Sequence, residues 1–336
     1  MKRKWIAIAA LFAALLLLSG IIAVYALQKK DAAQALKIGV SVYKSDDTFI
    51  TGVMADLQRE AKEYEQSTGN KLHLDLSDAA ESQRLQNEQV KRYISLDYDV
   101  LLVNLVDRTN ASTIIDAVAS AGIPVVFFNR EPVEEDLLRC ANLYYVGSDA
   151  KESAVLQGEI LAEAWQKNAA AIDKNQNGMM DYVMLEGELG HQDATIRTKW
   201  SVQTLIDLGV PVQKVAGGVA NWSRSQAAAI MEQLLGQHSG DIEVVIANND
   251  DMALGALDAL EKMAIEGVHL VGIDATAPGA AAVREGKMLG TVDCDSATYA
   301  NVLLSMARAL GQGAMLPPDI EVENGRYVRI HLNKLT

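Results

Sequence analysis

From Leu36 onward the chain alternates two kinds of hydrophobic pattern. Short runs rich in β-branched residues, LKIGVSVY at 36–43, DVLLVNLVD at 99–107 and IPVVFFN at 123–129, read as strands. Between them, TGVMADLQREAKEYEQ at 51–66 and STIIDAVASAG at 112–122 carry apolar residues at helical spacing. The second half repeats this order: DYVMLEG at 181–187, a helix, VQKVAGG at 212–218, a helix, IEVVIANND at 242–250, a helix, and VHLVGIDA at 268–275. Strands alternating with helices predict parallel sheets flanked by helices. The repetition predicts an α/β fold of two similar parallel-sheet domains instead of one large sheet.

The first thirty residues follow a different pattern. MKRK precedes an almost unbroken apolar run from Trp5 to Leu27, and KK closes it. A basic start and an apolar core without acidic residues read as an export segment. Its length is near the ~20 residues that span a bilayer, so a cleaved signal, cut after Ala26, and a retained membrane anchor both remain open. No cysteine closes the run, which argues against a lipid anchor. The chain has 336 residues, 49% of them hydrophobic, enough for two compact domains. Without Met1–Lys30, the remaining 25 basic and 44 acidic residues give a net charge of −19. So acidic a surface excludes nucleic acid as partner, because phosphate contacts need Lys and Arg. Cys140 and Cys294 lie far apart and form no metal-type spacing; they are not expected to pair.

The polar residues fall in register with the strands. Asn104 ends LLVN, Asn249 ends VVIANN and Asp274 ends VGID. Ligands of open parallel sheets sit beyond the carboxyl ends of the strands. One such residue means little, since Asn and Asp also cap the following helix, but recurrence in both halves predicts a ligand cleft between the domains. The candidates are Asp47, Phe49, Asn104, His191, Asp193, Arg197, Trp222, Asn249 and Asp274. Their polar members are mostly planar groups with paired hydrogen-bonding atoms, which suit sugar hydroxyls that both donate and accept. The aromatic members suit the C–H faces of a pyranose. Asp193 also reads as a helix N-cap with Arg197 one turn later, and the two roles are compatible.

A second motif is DKNQNGMMD, Asp173–Asp181, with oxygen-bearing side chains at positions 1, 3, 5 and 9 and glycine at 6. That is the spacing of a calcium loop. Position 12, the usual bidentate glutamate, is Met184, and a strand instead of a helix follows. The residues alone favour a plain polar turn.

The segments YKSDDTF, NLVD, VVFFNREP, YYVGSDAKES, GELGHQDATIR, VVIANNDDMALGA and GIDA resemble bacterial periplasmic galactose/glucose-binding proteins, in unbroken order from about Lys37 to His331. The resemblance implies a type I periplasmic-binding fold, two lobes joined by a three-stranded hinge and closing on one hexose. It implies lobes at 36–129 with 295–329 and at 130–294 with 330–336. Asp47 and Asn104 would hold hydroxyls from the first lobe, and His191, Asp193, Arg197, Asn249 and Asp274 from the second. Phe49 and Trp222 would sandwich the ring. It further implies a structural calcium held by Asp173, Asn175, Asn177, the Met179 carbonyl, Asp181 and the distant Glu243. The sequence departs from the family at Cys294, where an asparagine that helps bind sugar is expected, so this thiol is expected to face the sugar or the hinge, and in a chain that ends at Thr336, soon after the third crossing in YVRIHLNKLT.

No HExxH, Walker loop or GxSxG motif is present, and no acid/base pair stands out, so an enzyme is not expected. A sugar-responsive repressor would place a helix-turn-helix where this chain has its apolar segment. Two roles remain for an extracytoplasmic monomer: delivery of hexose to the membrane subunits of an ABC importer, or tethered sensing that signals to a membrane partner.

Overall fold

The computed structural model describes residues 35–336 apart from Ser239, so the expected signal or anchor at Met1–Lys30 lies outside the described residues. The chain begins with β1 (Leu36–Val42), α1 (Thr48–Thr68), β2 (Leu72–Asp78), α2 (Gln83–Ser95), β3 (Val100–Val103), α3 (Ser112–Ala121), β4 (Val125–Phe128), α4 (Glu134–Leu137) and β5 (Leu143–Ser148). The second series runs α5 (Ala150–Ile172), β6 (Met180–Glu186), α6 (Gln192–Asp207), β7 (Val212–Val219), α7 (Arg224–His238), β8 (Val244–Ala247), α8 (Asp250–Lys262), β9 (His269–Val271), α9 (Ala277–Arg284) and β10 (Thr291–Asp293). The chain then returns through α10 (Ser296–Gly311) and β11 (Tyr327–Ile330) and ends in β12 (Asn333–Leu335).

Two parallel sheets result. The first has the order β11-β5-β4-β3-β1-β2 and the second β7-β6-β8-β9. In the second lobe β10 and β12 form an antiparallel pair, joined to the β9 side through bridges at Val271–Gly290 and Asp274–Asp293. Strands such as VLLV of β3 and VVFF of β4 are buried at every position because helices cover both sheet faces. Ile38, Val40, Leu102 and Phe128 pack under α1 and α10, while Leu101, Val103 and Phe127 face α2 and α3. The second sheet divides in the same way, with Val183 and Val245 toward α7 and α8, and Met184 and Ile246 toward α5 and α6.

The chain passes between the lobes three times, at 148–150, 293–296 and 330–333. The sequence reading placed the first passage after Asn129, and the structure moves it. Val125–Phe128 of β4 pairs in parallel with Leu143–Val146 of β5, so residues 130–148 belong to the first lobe. The loop after β4 returns to the same sheet because β5 supplies the next hydrophobic strand, LYYVGS.

Helix caps coincide with strand tips. Asp47 accepts from Ile50 N, Asp149 from Lys151 N and Glu152 N, His191 from Asp193 N, and Asn249 from Met252 N. Each short polar side chain thereby satisfies N–H groups that a helix leaves open at its start. The cleft between the lobes is therefore edged by polar residues already held in place.

Candidate functional site

A partly open cavity lies between the lobes, lined by Tyr43, Asp47, Phe49, Asn129, Arg130, His191, Asp193, Arg197, Trp222, Asn249 and Asp274. All but Arg197, which lies in the second turn of α6, follow the carboxyl ends of strands or open the next helix.

The first-lobe wall is mostly self-satisfied. Tyr43 donates its hydroxyl to Asp47 Oδ2 at 2.6 Å, and Ile50 N donates to Asp47 Oδ1 at 2.9 Å. Asn129 takes a left-handed φ of 61°, and its backbone N–H donates to Tyr299 Oη at 2.7 Å. Phe49 lies edge-on to Tyr299 with centroids 5.9 Å apart. Arg130 stacks its guanidinium 3.8 Å above the Tyr43 ring and donates to Val106 O.

The second-lobe wall concentrates charge. Arg197 donates from Nη1 to Asn248 O at 2.8 Å, with Asp274 Oδ1 3.8 Å from Nη1 and Asp193 Oδ2 3.9 Å from Nη2. These ion-pair separations exceed hydrogen-bond length, so the carboxylates keep acceptor sites and the guanidinium keeps donors. Arg197 Nε is buried without a hydrogen-bond partner among the described residues. Burial pushes the Asp274 carboxyl well above the usual carboxylate range and raises Asp193, in both cases against the pull of Arg197. Burial, helped by Arg130, Arg197 and Arg108, lowers His191 to about 3, so its imidazole is neutral at any physiological pH.

Trp222 is held in this wall by backbone geometry. Asn221 and Trp222 both take left-handed φ values, 50° and 62°. The indole lies so close to Gly187 that a Cβ there would come within 2.3 Å of the ring, which explains the glycine. His191 meets the indole edge-on at 5.1 Å. Opposite-lobe contacts flank the cavity: Thr48 Oγ1 donates to Asp251 Oδ2 at 2.6 Å, and Arg130 Nη2 donates to Glu188 Oε2 at 2.8 Å. The lobes are thus closed on each other.

Eight of the residues expected from sequence line this cavity; Asn104 and Cys294 do not. Asn104 is fully buried, and its amide is used within the protein. It accepts from Tyr43 N and donates to Phe128 O and Asn129 Oδ1, so it supports Tyr43 and Asn129 from behind. Cys294 is 1% exposed and places Sγ 3.9 Å from Asp274 Oδ1, behind that carboxylate. Both cysteines are free thiols. The helix cap ahead of Arg197 is His191 instead of Asp193. Sequence reasoning missed Tyr43, Asn129 and Arg130. Asn129 follows β4 as Asn104 follows β3, so the strand-tip signal was there; Arg130 had none.

The loop at 173–181 gathers oxygen atoms around Gly178, whose φ is 82°. Asp173 accepts from Asn177 N and Gly178 N, and Asn175 and Asn177 both donate to Asp181 Oδ2 at 2.7 Å. Glu243, 2% exposed, reaches the loop and accepts from Lys174 N, Asn175 N and Asp181 N. Asp181 Oδ1 is buried without a hydrogen-bond partner among the described residues, and such an oxygen suits a bound cation. Among the described residues no three His, Cys, Asp or Glu side chains form a metal cage by themselves, so any ion here also needs the asparagine and carbonyl oxygens.

Residues 38–315 match the model of a periplasmic binding protein domain. The chain is 34% identical over 296 residues to the D-galactose/methyl-galactoside binding periplasmic protein of Haemophilus influenzae, covering 88% of this chain and 87% of that one. It is 26% identical to the ribose import binding protein of Bacillus subtilis over 76% of this chain and 75% of the relative. Among solved structures it resembles an ABC transporter solute binding protein from Bacillus halodurans with bound myo-inositol. That match has a TM-score of 0.73 and 30% identity, over 90% of this chain and 95% of the other.

Proposed function

The chain belongs to the periplasmic binding protein domain family, and from that premise we propose that it binds one hexose of the D-galactose/D-glucose type outside the cytoplasm and delivers it to an ABC importer. It is a binding protein and not an enzyme. The observation that carries the reading is the largely buried Asp193–Arg197–Asp274 group in the cavity between the lobes. A sugar hydroxyl can donate to either carboxylate while accepting from the guanidinium between them, and charge-assisted hydrogen bonds of that kind are about twice as strong as neutral ones. Phe49 and Trp222, one from each lobe, supply the apolar surface for the ring. The similarity to a galactose-binding relative supports a hexose. The ribose and myo-inositol names among the similar proteins make the ring type the point to test.

Calorimetry with D-galactose, D-glucose, D-ribose and myo-inositol tests it. Micromolar or tighter binding of a hexose, about −8 kcal/mol or better, is expected. Binding of ribose or inositol alone overturns the hexose assignment, and heat from none of the four overturns the sugar reading.

We also infer that the 173–181 loop holds a structural calcium ion through Asp173, Asn175, Asn177, the Met179 carbonyl, Asp181 and Glu243. The buried, unpartnered Asp181 Oδ1 supports this, as does the mixed oxygen donor set, which suits a hard cation. The ion would tie the end of α5 to the starts of β6 and β8, at the opposite end of those strands from the cleft residues. At a hundredfold excess over its dissociation constant it would stabilise the fold by about 2.7 kcal/mol. Melting curves in calcium and in chelator should therefore separate, and Glu243→Ala should remove most of the gap. Equal midpoints for the unaltered protein would make the loop a polar turn only.

A further inference from the structure

Asp274 reaches the cavity on an unfavourable backbone. Its φ is 116°, and Ala275 follows at 48°. Neither residue is glycine, so the surrounding structure must hold both in place. One restraint is the Asp274 N–H, which donates to Val292 O of the crossing strand β10 at 2.7 Å. The others converge on Asp250, the first residue of α8.

Asp250 is fully buried and does not line the cavity. Its Oδ1 accepts from Thr291 Oγ1 of β10 at 2.6 Å. Its Oδ2 accepts from Thr276 N at 2.8 Å and from Thr276 Oγ1 at 3.1 Å. Its own N–H donates to Ile273 O at 2.8 Å, and Ala275 N donates to Thr291 Oγ1 at 3.3 Å. Two glycines record the tightness of the fit. A Cβ on Gly272 would lie 2.2 Å from Asp250 Oδ1, and one on Gly279 would lie 2.1 Å from Oδ2. Neither glycine has a left-handed φ, so the carboxylate, and not the backbone, requires them.

We propose that Asp250 is a positioning residue for ligand binding: its carboxylate clamps the 272–279 segment to the crossing strand β10 and so sets Asp274 beside Arg197. Every partner of the carboxylate is a donor. An amide in its place turns one donor group toward Thr276 N or Thr291, and leaves a buried N–H or hydroxyl poorly met. Because β10 runs directly into the second passage between the lobes, the clamp also joins the sugar-binding carboxylate to the hinge.

The inference rests on the sugar-binding reading, and two measurements separate the failure of one from the failure of the other. The first is a double-mutant cycle of Asp250→Asn and Asp274→Asn, read as dissociation constants for D-galactose and D-glucose. Asp250→Asn should weaken binding about tenfold, in line with an unmet buried partner. In the Asp274→Asn background it should change binding by less than about twofold, because the residue it acts through is already altered. Equal losses in both backgrounds, or no loss, overturn the proposal. Thr291→Val, which removes one donor and keeps the carboxylate, carries the same cycle should Asp250→Asn fail to fold. The second measurement is amide exchange across 272–279 without sugar, which should quicken in Asp250→Asn and Thr291→Val. Unchanged exchange overturns the clamp whatever the protein binds. A failure of the unaltered protein to bind any sugar counts against the sugar reading, and the exchange result then decides the clamp.

Discussion

The two walls of the cleft are built from the same parts and differ in how those parts are used. Both place polar residues at strand tips, and both cap the next helix with them. In the first lobe the protein consumes most of that capacity: Asp47 accepts from Tyr43 and Ile50, and Asn104 is committed on both sides of its amide. In the second lobe Asp193 and Asp274 stand 3.9 and 3.8 Å from Arg197, too far to satisfy one another. A wall that satisfies itself gains little from a ligand, whereas one with buried, partly met charges gains much, since each sugar hydroxyl removes an electrostatic cost already present. The second lobe should therefore carry the affinity, and the first should act as a fitted cover.

The largest effect should come from Arg197→Met. It leaves two buried carboxylates without their counter-charge, and truncating one partner of a buried charge group costs about 2–5 kcal/mol or more of binding. Asp47→Asn, on the first wall, should cost far less because Asn still caps α1. Calorimetry on both variants checks this, and an equal loss in the two would break the comparison.

The aromatic pair sharpens it. Trp222→Ala should weaken binding by at least ~2 kcal/mol, as for a buried aromatic anchor. Phe49→Ala should lose less, since Phe49 also packs on Tyr299 within its own lobe. A larger loss for Phe49 would move the anchor to the cover.

A smaller effect is expected at the rim. Glu188, 44% exposed, meets the buried Arg130 across the cleft, and with its carboxylate end in solvent the pair should contribute about 1 kcal/mol, the upper end for exposed pairs. Glu188→Gln should speed sugar release about two- to fivefold in stopped-flow traces, with the preference among sugars unchanged. A changed preference would place Glu188 in recognition instead of closure.

The last concerns pH and is read in stability instead of binding. His191 is held neutral, its value lowered from 6.5 to about 3 by burial first and then by nearby arginines. A depressed value contributes stability that is present above 6.5 and is lost as pH falls toward 3. The unaltered protein should therefore lose stability relative to His191→Gln across that window, read as converging melting midpoints. Parallel midpoints would mean that His191 is solvated.

Much of this was legible in the sequence. Alternating strand and helix patterns marked the parallel sheets, and the residues directly after DVLLV, EVVIA and HLVGI marked the rim of a cleft. Capping did not keep His191 and Asn249 out of the cavity lining, because a cap engages one side-chain atom and leaves the others free to face it. The strand-tip signal located Asn104 but not the direction of its side chain. Asn104 ends a central strand, and the segments after β1 and β4 close over it. Cys294 was misread in the same way, since the left-handed turn at Asp274 brings that carboxylate in front of the thiol.

By itself the sequence determined the α/β class, the doubling of the unit and the positions at which polar groups emerge. These follow from periodicity and capping, whose physics acts between residues a few positions apart. Only the tertiary structure decided that β5 joins the first sheet, which tip side chains face the cavity, that Glu243 meets a loop beginning at Asp173, and that Asp250 grips Thr276 and Thr291. Such convergence depends on how helices pack against sheets and on which buried polar group finds its partner there, and no short window of residues carries that information.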